Sequence, residues 1–315
     1  MADLAASSAV SAEIVRKRIS GRRTDVGGRI FEAFLLFALL ASLGILITLL
    51  VDVLTRGIGV FIDRGLDFVT SPLSSEASEA GIGQGLIGSL ILMLLVAATA
   101  FPIGIGASVY LEEYARDTRF TRFITANIRN LAGVPSIVYG LLGLAVFVVA
   151  LREITGPDTQ GRSILSGGLT LAIVVLPIVI ITTSEALRAV PSGIREAAYG
   201  VGATRWQTVR SHVIPYAAPG ILTGTILSMA RAFGETAPLI MVGGAVSFLA
   251  TSDRGVIETL QGKYTTLPTS IYQWVQEPQR DFIELSAAGI IALLVTILLV
   301  NGLAIILRNR YARRW

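Results

Sequence analysis

Six long apolar segments dominate the pattern of hydrophobic and polar positions along the chain. Each is longer than the roughly 18 residues that mark a transmembrane helix, and none alternates like the strand of a membrane barrel. The segments are Ile30–Val51, Ile82–Tyr110, Leu131–Leu151, Ile164–Thr183, Ile214–Ala245 and Leu285–Leu307. The pattern therefore predicts an all-α, polytopic membrane protein with six transmembrane helices.

The composition agrees with this class and excludes several others. Of the 315 residues, 53% are hydrophobic and 15% are charged, and the mean hydropathy is +0.69. A soluble domain has about 25% charged residues, which excludes an ordinary soluble enzyme, and the high hydrophobicity excludes a disordered chain. The chain has no cysteine and a single histidine, His212. This excludes disulfide frameworks, thiol nucleophiles and histidine-rich metal sites, and we expect no metal ion.

The distribution of Lys and Arg predicts how the spans are oriented. Residues 1–29, 111–130, 184–213 and those after Leu307 carry eighteen of the 26 cations, and the other three connections carry seven. The positive-inside rule therefore places the richer set, with both termini, in the cytoplasm. A general attraction of basic segments to anionic headgroups is an alternative explanation that predicts the same topology.

The polar segments also suggest the domain organisation. We expect a cytoplasmic N-terminal tail at 1–29, followed by an anchor helix and first external loop at 30–81. A transmembrane domain at 82–307, with a cytoplasmic loop at 184–213, precedes a cytoplasmic tail at 308–315. No domain boundary or internal repeat is visible inside the membrane part.

The chain has no nucleotide site of its own. A P-loop requires a lysine after a glycine-rich stretch, so that backbone amides and the lysine together hold the phosphates. The only two lysines, Lys17 and Lys263, lie outside any such pattern. If the protein pumps, either an ion gradient or a separate ATPase subunit drives it.

The loop at 184–213 contains signals for two short helices around a turn. A helix from about Ile194 to Tyr199 can end at Gly200 and Gly202. Thr204 and Gln207 then have the spacing of a capping box, which starts a second helix. Such a unit, held at the membrane surface, forms a protrusion that a soluble partner can bind. An amphipathic linker that lies on the headgroups is the alternative.

This loop resembles the EAA loop of ABC importer permeases. In that family the loop forms coupling helices that dock into a groove on the ATPase subunit. The resemblance rests on the spacing of five residues and implies a role in ATPase coupling for each of them: Glu196, Ala197, Ala198, Gly202 and Pro215.

The fifth apolar segment contains a charged pair. Arg231 and Glu235 are four residues apart and lie beside the helix breakers Gly234 and Pro238. Charges inside a bilayer are costly and face protein or water, so the pair is either a packing salt bridge or a polar point on a substrate path. An arginine holds an oxyanion with a forked set of donors, and Glu235 could balance the charge when no anion is bound.

The segment Gly234–Leu239 resembles the Gly-Glu-Thr-Ala-Pro-Leu signature of A-type permease subunits of phosphate ABC importers. Leu131–Leu142 is similar to the start of the third span in that family, and Thr266–Gln279 is similar to its last outer loop. The resemblance covers roughly residues 82–307.

The resemblance implies a type I ABC importer permease fold and one half of a pore for inorganic phosphate. It implies a C-type permease partner, a dimer of ATPase subunits that bind ATP and Mg, and an extracytoplasmic phosphate-binding protein. The chain itself would bind no cofactor or nucleic acid, would catalyse no reaction, and would lie in the plasma (inner) membrane of a prokaryote. The residues expected on the substrate path are Arg231, Glu235, Thr236 and Ser136, although hydroxyls in membrane helices commonly bond their own backbone.

Three other functions stay open at this stage. One is import of a different oxyanion, such as sulfate, molybdate or phosphonate. A gradient-driven carrier is a second, although such carriers commonly have internal repeats. The third is a scaffold that senses phosphate without transporting it.

Two weaker signals complete the expectations. Glu112 and Glu113 resemble a carboxylate site, but the nearby Arg116, Arg119 and Arg122 favour a solvated, salt-bridged surface. Trp274 and Tyr272 are expected at the membrane interface, or on the surface that receives a binding protein.

Overall fold

The computed structural model describes residues 26–244 and 255–312, and within these ranges the chain is helical and contains no strand. The helices are α1 (Val26–Arg64), α2 (Leu66–Thr70), α3 (Gly83–Val109), α4 (Arg119–Ala132), α5 (Ser136–Gly143), α6 (Arg152–Thr155), α7 (Ile164–Arg188), α8 (Ser192–Gly200), α9 (Arg205–Thr208), α10 (Ile214–Gly234), α11 (Ala237–Met241), α12 (Val256–Leu260), α13 (Leu267–Gln276) and α14 (Arg280–Ala312). Three π-helical turns, Tyr110–Tyr114, Leu144–Ala150 and Val209–Val213, extend α3, α5 and α9.

Five helices of the described part are long and apolar enough to cross a membrane. They are α1, α3, α7, α14 and the continuous helix Arg205–Gly234. Helix α4 and the helix Ser136–Ala150 form a pair bent by 102°, and they supply a sixth crossing if the pair counts as one span. The predicted all-α class is confirmed, with five or six spans.

Contacts divide the chain into two units at residue 53. Within the first unit, all described residues (26–52) are exposed, although nearly all of them are apolar. Such a surface is unfavourable in water and favourable in lipid, as expected of an anchor helix. Residues 1–25 of the predicted tail lie outside the described residues.

The second unit has its largest core between α3 and α7. Leu92 and Val96 of α3 are fully buried against Leu171 and Val175 of α7, and Phe233 of α10 joins them. A smaller cluster packs the ends of α7 and α10 together at the side of the protein that carries α8, which we call the α8 end. The packing of α3, α7 and α10 fixes the positions of the turn after α8 and of the C-terminal end of α10.

The first helix is longer than predicted. It continues to Arg64, whereas the external loop was expected to begin at residue 52. Tertiary contacts support the extra turns, because the Phe61 ring packs edge-on against Phe68 at 5.4 Å and the Arg64 guanidinium lies over the same ring. Arg64 also donates a hydrogen bond of 2.8 Å to the carbonyl of Ala80.

The third and fifth spans differ from their predicted bounds. The span expected at Leu131–Leu151 begins at Ser136, because Pro135 lacks an amide proton and keeps Val134 out of the helical conformation. The preceding loop contains helix α4, which has no buried residue. The span expected at Ile214–Ala245 ends at Gly234, and Ala245 lies outside the described residues.

The segment expected to be the last outer loop is largely buried, which corrects the expectation for Trp274. Residues 264–271 are all buried, and the amide of Leu267 donates to the Ser89 hydroxyl of α3 at 2.9 Å. Trp274 is 4% exposed and packs beside Phe68, whereas Tyr272 is exposed. The tryptophan is a core residue because α13 folds back against α3 and α14.

Candidate functional site

The first candidate site is a break in the helical structure after α10. Helix α10 ends at Gly234, and Glu235 adopts an extended conformation with φ −73° and ψ 126°. Helix α11 begins two residues later with Pro238 at its second position, where a missing amide proton leaves no hydrogen bond broken. The sequence therefore interrupts the span at the position of the charged pair.

Arg231 and Glu235 meet at this break. The Nε atom of Arg231 lies 3.4 Å from Oε1 of Glu235. The arginine side chain is 52% exposed, whereas the glutamate side chain is 15% exposed. The guanidinium carries five N–H donors, and its one ion pair among the described residues leaves most of them available to bind an anion.

Helix α11 is held against α5 by a close backbone contact. A Cβ atom on Gly140 would lie 2.7 Å from Cα of Pro238, so only glycine allows this approach. Ser136 lies one helical turn before Gly140 and is half-buried, as is Thr236. In the described part of the chain, no hydrogen bond links either hydroxyl to Arg231 or Glu235. The structure thus brings Arg231 and Glu235 together and places Ser136 on the neighbouring helix.

The second candidate site is the turn between α8 and α9. Gly202 has a φ of +86°, a conformation that side chains of L-residues rarely adopt. Thr204 and Gln207 form a full capping box, since the Gln207 amide donates to the threonine hydroxyl and the Thr204 amide donates to Gln207 Oε1. The predicted first short helix, the glycine turn and the capping box are confirmed, whereas the predicted second short helix is not separate, because α9 begins the continuous helix Arg205–Gly234.

This turn presents side chains outward. Glu196 and Ala197 are exposed, and Ala198 on the opposite face is buried. Pro215 is half-buried and lies two residues after the π turn Val209–Val213 within the continuous helix Arg205–Gly234. Three large apolar side chains are also exposed on the same unit: Tyr199, Val201 and Trp206. A mixed surface of this kind is typical of a site for a protein partner.

A buried ion pair fastens α8 to the rest of the protein. Arg195 Nη2 lies 2.6 Å from Oε1 of Glu113, which is 6% exposed. Arg195 also donates to the carbonyls of Val190 and Leu187 at 2.8 and 3.0 Å. One guanidinium thus joins α8, the end of α7 and the π turn after α3.

The neighbouring carboxylate makes a separate pair. Glu112 accepts two hydrogen bonds of 2.8 Å from Arg188 at the end of α7. Both glutamates are salt-bridged as expected, but their partners are Arg188 and Arg195 and not arginines of the 111–130 loop, and Glu113 is buried and not solvated. Sequence reasoning missed these pairs because their partners lie 76 and 82 residues away along the chain.

Comparison with known proteins gives the family. Residues 100–313, more than half of the chain, match the family described as binding-protein-dependent transport system inner membrane component. The phosphate transport system permease protein PstA of Mycobacterium leprae is 32% identical over 297 residues, which are 92% of this chain and 90% of the relative. The probable ABC transporter permease protein YqgI of Bacillus subtilis is 35% identical over 211 residues, with coverages of 66% and 68%.

Solved structures support the same fold at lower identity. A chain of a bacterial alginate ABC transporter, in complex with a pentasaccharide-bound periplasmic protein, matches with a TM-score of 0.62 and 17% identity, covering 91% of this chain and 98% of that one. A chain of the MetNI methionine ABC transporter, in an inward-facing conformation, matches with a TM-score of 0.57 and 18% identity, covering 72% and 94%. The chain belongs to the family of inner membrane permease components of binding-protein-dependent ABC transport systems.

Proposed function

We propose that the chain is a permease subunit of an ATP-driven importer of inorganic phosphate and forms half of its translocation pore. The observation that carries the proposal is the exposed guanidinium of Arg231 beside the break after α10. A half-exposed charge on a spanning helix is too costly to face lipid, so it faces water or a second subunit. Both surroundings occur along the wall of a pore.

The arrangement around Arg231 suits a small oxyanion. The guanidinium fork matches two oxygens of a phosphate, and the Arg231 side chain is more exposed than its partner Glu235. When the anion is absent, Glu235 keeps the site close to neutral. Thr236 and Ser136 are further candidate donors on the same side of the bundle, because both lie near the contact between α11 and α5.

The names of similar proteins favour phosphate over other oxyanions as the substrate. Several permeases that are 31–33% identical to this chain over most of its length are named phosphate transport system proteins, among them those of Yersinia pestis and Mycobacterium leprae. The chain also keeps the Gly234–Leu239 segment at the helix break. We therefore assign phosphate rather than sulfate, molybdate or phosphonate.

The unit from α8 to α9 is the proposed docking site for the ATPase. Glu196, Ala197 and Gly202 lie in this unit, and the buried Glu113–Arg195 pair connects it to α3 and α7. ATP binding by the partner would pull α8, and the spans would reorient to accept phosphate from an extracytoplasmic binding protein. ATP hydrolysis, with Mg bound on the partner, would reset them. A C-type permease would supply the second half of the pore.

The topology follows from the same assignment. Docking of a cytoplasmic ATPase places the α8 end on the inner side of the membrane, as the distribution of cations also suggests. Both termini would then lie in the cytoplasm. Topology-reporting fusions at residues 2 and 315 test this orientation independently of transport.

Competition for uptake tests the substrate. Vesicles that contain the permease pair and the ATPase, with the binding protein supplied outside, should take up labelled phosphate only with internal ATP. Excess unlabelled phosphate should abolish the signal, while sulfate, molybdate and phosphonate should leave it. Equal competition by sulfate or phosphonate would contradict the phosphate assignment. ATP-independent uptake would favour a gradient-driven carrier, and an assembled complex without uptake would favour a sensing scaffold.

A further inference from the structure

A cavity of about 670 Å³ lies at the α8 end, outside the two sites already described. It opens between α4, the end of α7 and the chain that follows α3. This volume lies within the range of about 300–1,000 Å³ that is usual for small-ligand sites. The charged side chains that line it are four arginines and two carboxylates: Arg116, Arg122, Arg129, Arg188, Glu112 and Asp117.

Part of the positive charge in this cavity is available to a ligand. Arg188 is engaged by Glu112, whereas Arg129 lies 3.9 Å from Glu185, which is beyond hydrogen-bond distance. Within the described ranges, the one ion pair of Arg122 is with the exposed Asp117, at 3.3 Å. Among the described residues, Arg116 forms no ion pair or side-chain hydrogen bond. Even if Glu185 is counted with the lining carboxylates, the arginines outnumber the acidic residues by one. This excess positive charge balances the single negative charge of one phosphodiester.

The backbone around Arg116 is held in a defined turn. The Thr121 hydroxyl of α4 donates to the Arg116 carbonyl at 2.9 Å, and the Thr118 amide donates to the same carbonyl at 2.8 Å. Thr118 also caps α4 by accepting from the Thr121 amide. Arg116 is therefore positioned at the edge of the cavity, although its guanidinium has no partner in the part of the chain that the structure describes.

Helix α4 has two chemically different faces. Arg122, Ala126 and Arg129 lie three to four residues apart and line the cavity. The opposite half of the helix carries Phe120 and Phe123, which are 71% and 64% exposed. An amphipathic helix with aromatic residues on one face and arginines on the other lies in the membrane interface, at the depth of the lipid phosphates.

We propose that this cavity binds the phosphate group of an anionic phospholipid. Free donors on Arg116, Arg122 and Arg129 would hold the phosphodiester, while Phe120 and Phe123 keep α4 among the acyl chains. Inorganic phosphate has the same chemistry, but the exposed aromatic face of the same helix favours a ligand that belongs to the membrane. Basic pockets between membrane helices bind lipid headgroups in this way.

The inference does not depend on which anion the permease carries. It requires only that α4 lies at a membrane surface that contains anionic lipid. If the permease carried another anion, the lipid site could still exist. If the cavity bound no lipid, the chain could still form half of a phosphate pore.

Lipid titration of the intact transporter tests the proposal. The complete complex in detergent is titrated with phosphatidylglycerol, and native mass spectrometry measures the fraction that carries one lipid. Each cation near the lipid contributes about 1 kcal/mol, so Arg116→Gln and Arg129→Gln should each weaken binding about fivefold. Arg119→Gln is the matched control, because it removes a cation of α4 that does not line the cavity. It should change binding less than about twofold.

Two further titrations distinguish a lipid phosphate from free inorganic phosphate as the ligand. Phosphatidylcholine, a zwitterion of similar size, should bind more weakly than phosphatidylglycerol and should not respond to Arg116→Gln. Excess inorganic phosphate should displace little phosphatidylglycerol. Equal weakening in the Arg119→Gln control would overturn the proposal, as would unchanged binding in the cavity variants. Ready displacement by inorganic phosphate would assign the cavity to the free ion and overturn the lipid assignment.

Discussion

Replacement of Glu113 by Gln tests whether the buried pair with Arg195 fastens α8 to the spans. The substitution keeps the shape of the side chain and one acceptor, but it removes the charge that Arg195 contacts at 2.6 Å. Breaking a buried pair costs about 3–5 kcal/mol when the remaining charge has no partner. Arg195 retains two carbonyl acceptors and is 23% exposed, so we expect a smaller cost of about 2 kcal/mol.

Hydrogen–deuterium exchange of the nucleotide-free transporter measures this cost locally. About 2 kcal/mol corresponds to a roughly 30-fold larger population of the open state of α8. The amides of Val201 and Ala203, which donate to carbonyls within α8, should exchange faster by that factor. Global stability and membrane insertion should change little, because the spans keep their cores.

Glu112→Gln is the matched control for this experiment. Glu112 is the adjacent residue and loses the same charge, but its partner Arg188 belongs to α7 and not to α8. Exchange at Val201 and Ala203 should therefore stay close to that of the wild type. Unchanged exchange in Glu113→Gln, or an equal increase in both variants, would refute the view that Glu113 specifically fastens α8.

Three further substitutions test the turn, the helix contact and the charged pair. Gly202→Val forces a β-branched residue into a φ of +86° at a cost of about 1–3 kcal/mol, and it should reduce uptake per ATP hydrolysed, whereas Gly200→Ala should not. Gly140→Ala places a Cβ 2.7 Å from Cα of Pro238, and it should destabilise the purified transporter by about 1–3 kcal/mol in thermal unfolding. Glu235→Gln removes the countercharge of the guanidinium, and it should lower the KM for phosphate up to about fivefold and slow turnover through slower release.

Each of these has an outcome that contradicts its reasoning. Wild-type uptake per ATP hydrolysed in Gly202→Val would mean that the conformation of this turn is not needed for coupling to the ATPase. An unchanged melting temperature in Gly140→Ala would mean that the contact between α5 and α11 is not tight in the membrane. A raised KM in Glu235→Gln would show that the carboxylate helps to bind substrate and does not compete with it.

Local signals in the sequence predicted the α8–α9 unit well. A capping box and a left-handed glycine depend on residues within a few positions of each other, so Thr204, Gln207 and Gly202 could be interpreted without knowledge of the fold. The break after α10 was also visible, because Gly234 and Pro238 interrupt the helix by their own chemistry. The spans were recognisable for the same reason, since their hydrophobicity is continuous.

Features that depend on distant contacts were missed. The partners of Glu112 and Glu113 are set by how α3 and α7 pack, and nothing near either glutamate in the sequence indicates them. The segment before Trp274 lies between two apolar spans and resembles the last outer loop of the family, and it was therefore interpreted as an outer loop. It is buried because its hydroxyls bond within the segment, as in the contact between Thr265 and Ser270.

Uptake of labelled phosphate by the complete transporter carrying Arg231→Ala tests the central claim most directly. A charged hydrogen bond contributes about 1.5–3 kcal/mol, so the variant should lose at least about tenfold in uptake while assembly and basal ATPase activity are retained. Arg308→Ala is the control, because Arg308 also contacts α10, through Thr223, but not at the break. It should transport normally. Wild-type uptake by Arg231→Ala would contradict the account and assign the Arg231–Glu235 pair to packing.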